Sequence, residues 1–169
     1  MLDLSLFRIP TFILGGVANI TLACFYSVAF FMMPLYLHIV RNLDAFHIGL
    51  MLLPATATLA IMSPYVNRLV ARFSIWTVLA SGFVLFTISA LLQYGFSSQT
   101  PLILIVISYA LLGLGWALIL SPSFASALTA VPKNKSGVAM GTLGTLHNAG
   151  GSIGLAFGTV LLYPLQMIG

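Results

Sequence analysis

Five stretches of this chain run without a single charged side chain: residues 9–40, 48–67, 73–96, 101–132 and 136–169. Each is at least as long as the ~20 residues that an α-helix needs to cross a bilayer. Only 5% of the 169 residues are charged and 60% are hydrophobic, against about 25% charged in an ordinary soluble domain. Such a chain cannot cover a water-facing surface with polar groups, so it must face lipid. Strands of a membrane β-barrel would be half as long and would alternate strictly, and these runs do neither. The expectation is an all-α, polytopic integral membrane protein. Its single membrane domain, 1–169, should hold five transmembrane helices at about 10–39, 47–67, 74–96, 101–130 and 136–164.

The first stretch is too long for a signal peptide, and no small-residue cleavage site follows it. The lone cysteine, Cys24, lies mid-membrane and allows neither an internal disulfide nor a thiolate metal cluster. A net charge of +4 comes from six basic residues scattered over short loops, which points to topology rather than to nucleic acid. Arg8, Arg68, Arg72, Lys133 and Lys135 fall on one side and Arg41 on the other. Basic loops stay in the cytoplasm, so the N-terminus should be cytoplasmic and the C-terminus outside, in a plasma or bacterial inner membrane. Trp76, where the third helix starts, reads as an interface anchor.

An internal repeat accompanies this layout. Pro34 and Gly49 recur as Pro122 and Gly137, each pair fifteen residues apart and offset by 88. In both copies a proline ends one helix, a short basic loop follows and a glycine opens the next. An offset of three helices inverts the topology, which is a known plan of secondary transporters.

The second loop, "SPYVNRLVARFSIW" at 63–76, reads as a tight turn with Arg68 and Arg72 at an i, i+4 spacing. It resembles the cytoplasmic loop of the major facilitator superfamily, G-x-L-x-D-R-x-G-x-R/K. In that frame Asn67 stands for the first glycine, Ala71 for the aspartate, Ser74 for the second glycine and Trp76 for the last base, while Leu69 and Arg72 match. "LDLSLFRIPTF", "MPLYLHIV", "GLMLLPATATLAIMSPYVNRL", "LLGLGWALILSPSFASAL" and "SGVAMGTLGTLHNAGGSIGLAFGTVLL" follow the order of the fourteen-helix drug:proton antiporters (EmrB/QacA-like). The resemblance implies the C-terminal half of such an antiporter without its last helix. It further implies proton-coupled efflux of a lipophilic small molecule, through a protein that needs its N-terminal half, or self-association, to work. The competing reading is a small, non-transporting assembly subunit acting through helix–helix association.

Chemistry has few candidates. Asp3 and Asp44 are the two acids, and both lie in flanks or loops. His147 is left as the titratable side chain deep in a helix, with His38 near the outer boundary and His47 in the outer loop. Intramembrane ionisable residues mark ion pathways or cross-helix hydrogen bonds, and both readings stay open for His147. "GGSIG" matches G-x-S-x-G through Gly150, Ser152 and Gly154, but that motif works on a strand-to-helix turn, so no enzyme activity is expected. No cofactor or metal is implied.

In the first helix Phe25, Tyr26, Phe30, Phe31 and Tyr36, with Met32 and Met33, offer aromatic and adaptable surface. Because the first helix of each half lines the central cavity in the family resembled, Tyr26 and Phe30 join His147 and Asn148 as substrate-cavity candidates. On a wheel of 100° per residue, Gly137, Gly141, Gly144, Gly151, Gly154 and Gly158 fall on one face about 140° wide. That stripe reads as a helix-packing seam, with G-x-x-x-G pairs also at Gly137/Gly141 and Gly150/Gly154. Asn148 should form a hydrogen bond across it.

Overall fold

The computed structural model describes residues 4–166; Asp3 and both extreme ends fall outside that range. After a short 3-10 helix, Leu4–Arg8, come five long helices: α1 Pro10–Ile39, α2 Ala45–Phe73, α3 Ile75–Tyr94, α4 Leu102–Thr129 and α5 Ser136–Gln166. By length and composition α1 to α4 are apolar enough to cross a membrane. Among the described residues α5, 31 residues long, falls short of that measure; it carries His147, Asn148 and several glycines among its apolar side chains.

The second helix departs from the expectation. It begins at Ala45 and continues through the whole of the supposed loop to Phe73. Asp44 caps its start by accepting from the His47 backbone N–H at 3.3 Å and from the His47 ring. That side-chain bond holds the Asp44 carboxyl below its ordinary range. The cap is therefore complete at neutral pH and is lost as acid protonates the carboxyl through its lowered value. The α2–α3 connection is Ser74 alone, at φ 78°, a left-handed conformation that favours glycine. Neither Pro54 nor Pro64 stops α2; neighbouring helices tolerate such breaks in lipid.

Contacts divide the chain into two units, one of Met1–Met33 with Ser123–Gly169 and one of Pro34–Pro122. The chain passes between them at Pro34 within α1 and at Pro122 within α4, the two prolines of the repeat. In the second unit α2, α3 and α4 converge on Val66, Val78, Ala117 and Leu118. Gly82 and Gly115 face each other so closely that a Cβ on Gly115 would stand 2.8 Å from the Gly82 carbonyl oxygen. Gly113 abuts the Ala55 carbonyl and Thr58, whose hydroxyl donates to the Ala110 carbonyl at 3.1 Å. Ser89 donates to the Ser108 carbonyl at 2.7 Å. At one end of this unit Arg41 donates to the carbonyls of Ser98 (2.5 Å) and Thr100 (2.9 Å), and Tyr36 donates to that of Ser97 (2.6 Å). The α1–α2 corner thereby holds the α3–α4 loop.

In the first unit Leu6, Phe12, Ala127, Val131, Ala139 and Leu143 form the core. The lower part of α1 and α5 run parallel and nearly touch. A Cβ on Gly150 would lie 2.5 Å from the Ile20 carbonyl oxygen, and one on Gly154 would lie 2.8 Å from the Cys24 Cα. A Cβ on Gly151 would lie 3.0 Å from the Ser27 hydroxyl, and one on Gly158 would lie 3.2 Å from the Met32 methyl. The other half of the expected stripe does not pack on α1: among the described residues a Cβ on Gly137, Gly141 or Gly144 meets nothing within 4 Å. The contact face of α5 is centred on Gly154, at one edge of the stripe, which leaves these three about 80–140° round the helix.

Detergent-unfolding titrations of glycine and Ser74 variants check these packings. Gly154→Ala should lower stability in a detergent-unfolding titration by about 1–3 kcal/mol, because backbone must shift. Gly141→Ala should raise it by about 0.4–1 kcal/mol by removing backbone freedom from the unfolded chain. Ser74→Gly should raise stability by about 1 kcal/mol by relieving the left-handed residue, and Ser74→Val should lower it.

Candidate functional site

The close crossing of α1 and α5 brings short polar side chains together in the first unit. His147 Nδ1 lies 2.5 Å from Asn19 Oδ1. Asn19 is fully buried, and its Nδ2 donates to Ser123 Oγ on α4 at 3.3 Å. On the other side of the ring, His147 Nε2 lies 3.3 Å from the Tyr26 hydroxyl. The Tyr26 and His147 rings stack at 5.5 Å between centroids, 26° from parallel. Phe30 stands edge-on to Tyr26 at 6.4 Å. The chain Tyr26–His147–Asn19–Ser123 thus ties α1, α4 and α5 together. Each such bond within lipid contributes roughly 0.6–2 kcal/mol.

Of the four cavity candidates, Tyr26, Phe30 and His147 come together. Asn148 does not. It is exposed, and its backbone carbonyl accepts from the Ser152 hydroxyl at 3.0 Å. The expected bond across the seam is instead made by Asn19, which the sequence reading passed over. The signal was present: Asn19 is a lone amide in a charge-free span, just as Asn148 is. What misled was the centre of the helix face, which puts His147 about 20° from Gly154 and Asn148 about 120° away. Ser152, exposed in mid-helix and bonded back one turn, has no strand-to-helix turn around it. Phe25 and Phe31 are exposed, Met33 is buried, and Tyr36 serves the α3–α4 loop.

The loop motif is helical. Arg68 and Arg72 are exposed on the last turns of α2, lying over the rings of Tyr65 (5.7 Å) and Phe73 (5.3 Å). Among the described residues the ion pair is His47 with Asp44, so neither arginine meets a carboxylate. Leu69 packs on the core of the second unit. Beside the polar chain, Phe7, Phe12, Ile13, Gly16, Val17, Ile20 and Leu146 line an apolar crevice of about 60 Å³, large enough for a branched alkyl group and without a polar wall.

Asn19→Leu leaves the His147 Nδ1–H without its acceptor. It should cost about 1–3 kcal/mol in a detergent-unfolding titration, while Asn148→Leu should change stability by less than about 0.5 kcal/mol.

Comparison with known proteins places this architecture. The chain is 33% identical over 165 residues to the multidrug resistance protein Stp of Mycobacterium tuberculosis (strain CDC 1551 / Oshkosh), covering 95% of this chain and 30% of that protein. It is 27% identical over 158 residues to the riboflavin transporter RibZ of Clostridioides difficile (strain 630), covering 92% and 34%. It is 25% identical over 162 residues to the lincomycin resistance protein LmrB of Listeria innocua serovar 6a (strain ATCC BAA-680 / CLIP 11262), covering 96% and 34%. The chain spans about a third of the length of these curated relatives. Kinship with transporters favours transport over the assembly-subunit reading. The family model for the Major Facilitator Superfamily matches residues 2–155, and the chain belongs to that superfamily.

Proposed function

We propose that this chain is part of a proton-coupled multidrug efflux transporter, an antiporter of the fourteen-helix kind. Its substrate path runs past Tyr26, Phe30 and His147. The observation that carries the reading is His147 itself: a titratable ring inside apolar helices, hydrogen-bonded on both nitrogens. Such a group suits proton exchange within a membrane. Relatives named for multidrug and lincomycin resistance and for riboflavin transport support an organic small molecule as cargo. The excess of basic residues on the Arg68/Arg72 side supports a cytoplasmic N-terminus in a bacterial inner membrane. Alternating access needs two facing halves, so the segment requires the rest of a transporter, or a second copy of itself, to complete the path.

Reconstituted alone in proteoliposomes, the chain should give no substrate-dependent flux. Joined to the remaining helices of such a transporter, it should support efflux driven by a pH gradient, and His147→Leu should abolish the dependence on that gradient. Flux by the isolated chain, or gradient-driven efflux that survives His147→Leu, would sink the reading.

A further inference from the structure

The apolar crevice of the first unit faces a different way from the polar chain. Ile13, Val17 and Ile20 on its wall stand about 100–180° round α1 from Asn19 and Tyr26. Cargo that follows Tyr26, Phe30 and His147 therefore does not account for it. Gly16 makes its floor. A Cβ there would stand 3.3 Å from the Leu146 Cδ1, so a longer side chain would fill the space. Phe7, Ile13 and Val17 are exposed along the rim. With about 60 Å³ and no polar wall, the crevice suits a hydrocarbon chain and offers no partner to a polar group.

Charge decides what such a chain is attached to. Arg8 directly follows Phe7 and is exposed. Leu6 and Phe12, which flank Arg8, pack in one core with Val131 and Ala139, which flank Lys133 and Lys135. The Arg and Lys side chains of this unit therefore share one end of it. Among its described residues the unit has no Asp or Glu, so that end carries three positive charges against none. Both α1 and α5 also start there, and helix N-termini favour an anion. From Pro10 to Ile20 α1 rises about 15 Å, half of the ~30 Å hydrocarbon core of a bilayer. The crevice thus runs inward from the charged end within the depth of one leaflet.

We propose that the crevice and Arg8 form a binding site for one anionic phospholipid of the bilayer. An acyl chain lies over Gly16 between Val17 and Leu146, and the phosphate meets the Arg8 guanidinium, which grips such a group with two N–H donors. Lys133 and Lys135 strengthen the positive field at that end. A free anion would leave the crevice unfilled, and a neutral lipid would leave the charge unanswered. A phospholipid with net negative charge satisfies both, because its charge and its hydrocarbon are joined in the order the unit presents them.

The test uses the whole chain purified in a mild non-ionic detergent. Phosphatidylglycerol and phosphatidylcholine with the same acyl chains are added in equal amounts, and native mass spectrometry counts the lipids retained. Phosphatidylglycerol should be retained in preference, as one tightly held copy per chain. Arg8→Gln should cut that preference about fivefold, the weight of one basic side chain at an anionic surface, and leave phosphatidylcholine retention unchanged. Gly16→Leu fills the crevice whatever the headgroup, so it should lower the retention of both lipids. Val17→Trp changes the exposed wall rather than the floor and should do the same, which keeps the test open if Gly16→Leu fails to fold; circular dichroism shows whether the helices persist. Equal retention of the two lipids by the unaltered chain, an unchanged preference in Arg8→Gln, or undiminished retention in a folded crevice variant would overturn the proposal. A dimer that keeps no lipid would overturn it too, by giving the crevice to a second copy. None of these readouts needs transport, so the site stands or falls apart from the antiport reading.

Discussion

The near-contact of two backbones, α1 at Ile20 and Cys24 against α5 at Gly150 and Gly154, is the constraint from which the site follows. Asn and His side chains are short. Glycine removes the Cβ at the crossing and lets the two backbones approach, which brings Asn19 within direct hydrogen-bond distance of the His147 ring. The hydrogen bond then fixes the rotation of α5 about its own axis, because only one setting presents His147 to Asn19 and Tyr26 together. Packing sets the distance and polarity sets the angle, and neither suffices alone in a solvent as featureless as lipid.

Much of the fold was legible because charge-free length is a coarse signal that lipid enforces. α1 spans Pro10–Ile39 between Arg8 and Arg41, and α5 starts at Ser136, just after Lys135. The pattern failed at α2 for a local reason. Arg68 and Arg72 read as loop residues because they are charged, yet their stems run along the last turns of a helix that ends at Phe73 and carry the guanidinium groups over Tyr65 and Phe73. Long basic side chains let a helix outrun its apolar core. Ser74, which the resemblance sets at the motif's second glycine, has a φ of 78°, a conformation that favours glycine.

The candidate site was legible by residue type and not by partner. A histidine in an apolar span announces itself; which of two asparagines meets it depends on a rotation of about 100°, the step between neighbouring residues on a helix. A wheel drawn from glycines alone averages those at the crossing with Gly137, Gly141 and Gly144, which meet none of the described residues. The Gly82–Gly115 contact went unnoticed for the opposite reason. Each is a single glycine on its helix face, and a seam made from one residue on each side leaves no periodicity to read.

The composition of α5 ties these observations together. Glycines, His147, Asn148 and Ser152 give α5 a smaller share of apolar side chains than α1 to α4 have. A polar side chain costs free energy when lipid surrounds it and far less when protein supplies the hydrogen bonds. His147 has those bonds through Asn19 and Tyr26, and Ser152 has one through its own backbone. α5 thus gains from α1 both the hydrogen bonds of His147 and the close contact at Gly150 and Gly154. Its stability in the membrane and the geometry of the site rest on the same contacts, so a change that loosens the crossing at Gly154 must disturb the hydrogen bonds of His147 before it unfolds anything else.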